Sequence, residues 1–104
     1  MDVIEKLFQQ GFAFRNFPDY PRHLGVEKYG CAALLERTAE GGWKQFSSAG
    51  HLLEGGKLAL LVEKEGRSFF VHKSNQLPAE GKRLENYRRF LEELRAALTD
   101  TRSI

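Results

Sequence analysis

The chain has 104 residues, of which 41% are hydrophobic and 29% are charged; these proportions are typical of one folded domain and exclude wholesale disorder. Its 16 basic and 14 acidic residues give a net charge of +2, far from the clustered positive charge that marks a nucleic-acid or membrane surface. The lone Cys31 excludes an intrachain disulfide and suits a reducing compartment. No secretory signal and no apolar run long enough for a membrane span are found, so we expect a cytoplasmic protein.

The first predicted element is a short helix over residues 3–10. Its apolar residues recur at helical spacing, and Gly11 can adopt the left-handed conformation that ends many helices. An irregular stretch follows to about Lys28. Pro18 and Pro21 cannot lie inside a helix or a central strand, and the aromatic residues around them predict a loop that packs onto the core.

Two hairpins are predicted next. Residues 29–38 form a strand that pairs with residues 43–47 through the turn at Glu40, Gly41 and Gly42. The clearer hairpin joins residues 57–64 to residues 67–73, because Glu65-Gly66 is a two-residue loop of the type that favours tight hairpins. Its apolar runs predict strands in the middle of the sheet, with both faces at least partly covered.

Between the hairpins, the apolar pair Leu52-Leu53 is interpreted as a further strand or a tight turn. A longer helix then runs from Glu80 or Gly81 to about Leu98, and residues 99–104 are expected to form a frayed tail. One side of this helix is apolar: Leu84, Tyr87, Phe90, Leu91, Leu94, Ala97 and Leu98. The stripe predicts packing on the chain's own sheet, with a helix-mediated homodimer as the alternative.

The sequence therefore predicts a single α+β domain over residues 1–104. We expect two layers, with a mainly antiparallel sheet of four to five strands covered on one face by an N-terminal and a C-terminal helix. The element order is α-β-β-(β)-β-β-α. The other face of the sheet must be polar, lie under the aromatic loop or serve as an interface.

No motif identifies a chemistry. Residues 50–58 resemble a phosphate-binding loop, but the spacing is wrong, Leu58 stands where Ser or Thr is required, and a strand follows instead of a helix. Residues 66–71 match the aromatic strand of RNA-binding domains only in part. The three histidines are too scattered to predict a metal site, and no cofactor is expected.

The leading hypothesis is a non-enzymatic binding or assembly module that uses the open sheet face to bind a protein partner or a second copy of the chain. Its candidate contact residues are Trp43, Phe46, Phe70 and His72.

Two alternatives remain open. The basic second half could bind nucleic acid weakly, through Arg67, Lys73, Arg88 and Arg95. A small enzyme could use a pocket formed by Cys31 with His51 or His72, although a cysteine within an apolar strand is typical of an inert buried thiol.

Overall fold

The computed structural model describes residues 3–46, 49–53 and 57–100, with the backbone alone at residues 99 and 100. Two helices enclose a run of strands along the chain. The elements are α1 (Val3–Gln9), β1 (Ala13–Arg15), β2 (Leu24–Lys28), β3 (Cys31–Arg37), β4 (Trp43–Gln45), β5 (Gly50–Leu53), β6 (Lys57–Lys64), β7 (Arg67–His72), β8 (Asn75–Pro78) and α2 (Gly81–Asp100). The predicted frayed tail is helical through Asp100, and residues 101–104 lie outside the described residues.

The strands form one curled sheet in the order β1-β2-β3-β5-β6-β7-β8, and β4 pairs with the far end of β3. Every described pair is antiparallel. The α+β class is thus confirmed. The predicted count of four to five strands is wrong, because eight are found among the described residues.

Three strands were missed. β1 and β8 have only three and four residues, and β2 contains a glycine and two charged residues, so none has the apolar alternation that predicts a strand. They form because neighbouring strands offer edges to pair with: β2 pairs with β3, β1 with β2, and β8 with β7. Tertiary context then outweighs local propensity.

Tight turns set the register of the two best-defined hairpins. Glu65 and Gly66, between β6 and β7, have φ angles of 53° and 75°, which confirms the predicted turn. Tyr29 and Gly30 join β2 to β3 in the same way, with φ angles of 57° and 75°. Two successive positive φ angles produce the turn that matches the twist of paired strands.

Both helices pack on one face of the sheet, which we call the core face. On the strands it presents Val26, Ala33, Leu35, Ala59 and Phe70, all buried. The predicted apolar stripe of α2 packs against this same core, so the prediction that the helix lies on its own sheet is confirmed: Leu84, Tyr87, Phe90, Leu91, Leu94, Ala97 and Leu98. This packing accounts for the stripe without a helix-mediated homodimer.

The end of α1 shows how the sequence directs the chain onto the core. Gly11 has a φ angle of 91°, and its amide donates to the carbonyl of Phe8 at 3.1 Å. The amide of Phe12 donates to the carbonyl of Leu7 at 3.0 Å. This pair of bonds is the left-handed termination that glycine favours, and it brings Leu7 and Phe12 together in the core.

A polar cluster joins the sheet to both helices. Lys28 Nζ donates to Glu93 Oε1 of α2 at 2.6 Å and to the carbonyl of Gln10 at the end of α1. The Tyr29 hydroxyl donates to Glu93 Oε2 at 2.8 Å. Burial opposes the ionisation of Glu93, but the hydrogen bonds from Lys28 and Tyr29 outweigh burial and lower its pKa. The hydrogen bond to Glu93 raises the pKa of Lys28.

Candidate functional site

The face of the sheet opposite the helices is covered only in part. Over β2 and β3 its cover is a pair of consecutive turns: the amide of Tyr20 donates to the carbonyl of Phe17 at 2.9 Å, and the amide of His23 to the carbonyl of Tyr20 at 3.1 Å. Pro18 and Pro21 each take the second position of a turn, where their fixed φ is favourable. The prediction of an ordered proline loop packed on the core is confirmed.

Phe17 anchors this loop to the sheet. Its buried side chain packs with Ala32 and Leu34 of β3 in a second small core. The ring lies so close to Gly25 of β2 that a Cβ there would stand 2.4 Å from Phe17 Cε2. Glycine at position 25 is therefore what lets the loop lie flat on this half of the sheet.

The charged side chains on the covered half neutralise each other. Arg15 and Glu27 form an ion pair of 3.3 Å across β1 and β2. Glu36 accepts from Lys44 at 3.2 Å and lies 3.7 Å from His23 Nε2. On this half of the face the proline loop covers the strands, and the charged side chains named above are paired within the chain.

The other half of the same face has no cover among the described residues, and we call it the open face. It consists of alternate residues of β6 and β7: Leu58, Leu60, Val62, Phe69 and Val71. Leu60 pairs with Val71 and Val62 with Phe69 across the two strands. Leu60 remains 40% exposed and Val62 44% exposed. Large aliphatic side chains this exposed at adjacent positions form a contiguous apolar surface.

A groove of about 340 Å³ separates the open face from the proline loop. Its apolar lining comes from both sides: Phe17, Pro18, Tyr20, Leu34, Leu58, Leu60 and Val71. Lys57 and Lys73 also line it, against one carboxylate, Asp19. Neither lysine forms an ion pair with any residue that the structure describes. The groove thus has an apolar lining with positively charged lysine side chains at its edge.

The four predicted contact residues do not share a surface. Trp43 lies on the core face, where Arg37 stacks over its ring at 5.1 Å. Phe46 lies on the opposite face, 44% exposed and 3.9 Å from the ring of His23.

Phe70 is completely buried between His51 and Tyr87. His72 follows it on the same side of β7 by register, but at the end of the strand it is partly exposed and lines the groove next to Lys73. Phe70 therefore belongs to the core. The error has a physical origin: residues 69–71 are all apolar, so their sequence cannot indicate which of them face the helices.

Leu60, Val62 and Val71 were the residues that the sequence interpretation left out. The apolar run in β6 was available as a signal, but it predicted strands with both faces at least partly covered, which left no residue singled out as exposed. Only the structure shows that the proline loop reaches β6 at Leu58, which packs against the Phe17 cluster, and leaves Leu60 and Val62 exposed.

The residues predicted to bind nucleic acid are separated as well. Arg67 and Lys73 lie at opposite ends of β7, and Arg67 stacks over Phe69 at 5.5 Å. Arg88 and Arg95 belong to α2, which packs on the core face. These four side chains therefore do not form one continuous basic track.

Cys31 and His51 are direct partners across β3 and β5; Cys31 is fully buried in the core, and His51 is partly buried beside it. Burial raises the pKa of the Cys31 thiol to about 11, and burial also lowers the pKa of His51. The thiol therefore stays protonated and the imidazole neutral at neutral pH. Such a pair has neither the thiolate nor the access that nucleophilic catalysis requires.

Other chemistries find no support in the part of the chain that the structure describes. No three His, Cys, Asp or Glu side chains there converge in a way that could bind a metal ion. None of the described helices combines the length and apolar character required to cross a membrane. Where a phosphate-binding loop was considered, β5 pairs with β6 as antiparallel strands; the intervening residues 54–56 lie outside the described residues.

Comparison with known proteins identifies no relative: no family, no curated protein and no solved structure matches this chain.

Proposed function

We propose that this domain is a non-enzymatic binding module, and that its docking surface is the open face together with the adjoining groove. The observation that carries the proposal is the exposure of Leu60 and Val62, side by side on a central strand. Contiguous apolar surface of this kind on a folded domain usually marks an interaction site. Isolated exposed apolar residues, such as Phe8 on α1, have no such neighbours and need no explanation.

The open face is also rigid before any partner arrives. β6 and β7 are fixed from behind, because Ala59 and Phe70 are buried in the core and the tight turn at Glu65-Gly66 sets their register. A preorganised surface loses little conformational entropy on binding, so more of the apolar burial contributes to affinity. The gain is about 25 cal/mol for each Å² of apolar surface removed from water.

A protein partner suits this surface better than nucleic acid. Leu60, Val62 and Val71 are aliphatic and provide no aromatic platform for bases. The basic residues considered for nucleic acid are distributed over two faces of the molecule. A peptide segment with apolar side chains can fill the groove and cover the open face at the same time.

The experiment is selection from a library of random twelve-residue peptides displayed on phage, followed by affinity measurement on the enriched peptides. We expect the enriched peptides to bind the wild-type protein and to lose at least tenfold in affinity with the double variant Leu60→Asp/Val62→Asp. Both positions are exposed, so the variant should fold. Circular dichroism and urea unfolding check that it does.

The matched control is Phe8→Asp, which places the same charge at an apolar residue 70% exposed on α1, away from the open face. Binding should be unchanged in this variant. Enriched peptides that bind the Leu60→Asp/Val62→Asp variant as well as the wild type, or a failure to enrich any peptide, would overturn the proposal.

A further inference from the structure

The charges around the open face indicate what kind of segment binds there. Four cations lie around it: Lys57 and Lys73 at the groove end, and Lys64 and Arg67 at the hairpin end. Lys57 stands at the end of its strand, so it lines both this groove and the hollow beside Leu53 and Leu77 on the core side. Among the described residues, two carboxylates lie beside them, Asp19 in the groove and Glu65 in the turn. The apolar surface therefore has an excess of positive charge at its margins.

These cations are available to a partner. Elsewhere on the same face the charges are already paired, as Arg15 with Glu27 and Lys44 with Glu36. Among the described residues, by contrast, Lys57, Lys73 and Lys64 have no ion-pair partner. The guanidinium of Arg67 lies over the ring of Phe69, 5.5 Å from its centroid, and has no ion-pair partner in the described part of the chain.

We infer that the open face and groove bind a protein segment that carries acidic residues beside its apolar ones. The inference rests on the proposed function and specifies its partner. Apolar side chains of the segment occupy the groove, and its carboxylates face Lys57 and Lys73. Complementary charge at the margin of an apolar surface raises the association rate and selects against segments of the wrong charge.

A second copy of this chain fits less well. In a two-fold dimer formed through the open face, the same surface patch meets itself, so the cations of one copy approach the cations of the other. This holds whether the groove end meets its counterpart or meets the hairpin end, because both ends carry two cations. Juxtaposed like charges oppose such an association.

The experiment uses the peptides enriched on the wild-type protein. We expect them to contain more Asp and Glu than the starting library, next to apolar residues. Replacing their acids by Asn and Gln should weaken binding at least tenfold in 50 mM NaCl and less in 500 mM NaCl, because salt screens exposed charges.

The protein variant is Lys57→Gln/Lys73→Gln, and its control is Lys82→Gln/Arg88→Gln, which removes the same charge from exposed positions of α2. We expect Lys57→Gln/Lys73→Gln to bind the acidic peptides about as weakly as the wild-type protein binds their Asn and Gln versions. This protein variant should bind both versions of a peptide with the same affinity. The control should bind like the wild type.

The outcomes separate this inference from the proposed function. Neutral or basic enriched peptides, or full binding to Lys57→Gln/Lys73→Gln, would overturn the acidic partner while leaving the docking surface intact, provided that Leu60→Asp/Val62→Asp still abolishes binding. If sedimentation shows a dimer, and only Leu60→Asp/Val62→Asp converts it to monomers, the partner of the open face is a second copy of this chain and the acidic partner is overturned. Tight binding of a single-stranded DNA 20-mer that Lys57→Gln/Lys73→Gln abolishes would overturn it in favour of nucleic acid.

Discussion

The two faces of the β6–β7 hairpin differ in burial although both carry apolar side chains. Toward the helices, Ala59 and Phe70 are buried in a core closed by α1 and α2. Toward the other side, Leu60 and Val62 are equally apolar and remain substantially exposed. Stability is therefore concentrated on one face of the same strands, which leaves the other face free for recognition.

The largest contrast between the faces should appear in cysteine reactivity. Native Cys31 is completely buried and burial raises its pKa to about 11, so at pH 8 it should react with an aromatic disulfide reagent only when the domain opens. We expect labelling at least about a thousandfold slower than in urea, the scale set by typical unfolded fractions.

The matched protein carries Cys31→Ala and Val62→Cys, which moves the thiol to the open face. It should react within about tenfold of the rate in urea. Rapid labelling of native Cys31 would show an accessible thiol and would favour the enzyme hypothesis over the binding module.

Core and open-face truncations should differ next most strongly. Phe70→Ala removes a buried ring that contacts His51 and Tyr87, and should lower the free energy of unfolding by about 3 to 5 kcal/mol. Val62→Ala, on the neighbouring strand, should lower it by less than about 1 kcal/mol. Urea unfolding measures both, and similar losses in the two variants would show that the open face is covered.

The boundary between the covered half and the open half depends on Gly25. Gly25→Ala places a methyl group against Phe17 and the carbonyl of Arg15, so the loop must move and the free energy of unfolding should fall by about 1 to 3 kcal/mol. Gly42→Ala is the control, since its Cβ would meet only Thr38 Oγ1 at 3.3 Å. Equal, small effects in the two variants would mean that Phe17 does not lie on β2.

The smallest of these effects concerns the polar cluster on the core face. Glu93→Gln removes the charge that pairs with Lys28 and should cost about 1 to 2 kcal/mol at pH 7, a value reduced by partial exposure of the carboxylate.

The pH dependence of this variant has a definite sign. Folding lowers the pKa of Glu93 below its ordinary value of 4.5. The stabilisation is therefore complete above that value and is lost as the pH falls through the lower pKa of the folded state. Urea unfolding at pH 7 and pH 3 should show the difference between wild type and Glu93→Gln shrinking at pH 3; a constant difference would contradict this role.

Much of the fold could be predicted because its signals are local. Gly11 ends α1, Glu65-Gly66 closes a hairpin, and the apolar stripe of α2 faces the core, each as the sequence indicates. β1 and β8 could not be predicted, since they exist only as partners of other strands. Short strands of this kind depend on the sheet and not on their own residues.

The candidate site was harder to predict for a related reason. In a run such as Leu58–Val62, no polar residue marks which side faces water, so the strand period gives no orientation. The structure supplies the orientation through the register of β6 against β7. In that register Val71 lies on the open face and Phe70 faces the core. How far the proline loop extends is likewise a tertiary property.

The central claim is that the open face binds a partner, and amide chemical-shift mapping tests it most directly. An isotope-labelled sample would be titrated with the most strongly enriched acidic peptide. The account predicts that the largest shift changes fall on Leu60, Val62, Val71 and Lys73, with little change along the exposed side of α2. Changes concentrated on α2 or around Phe8, with the open face unaffected, would contradict it.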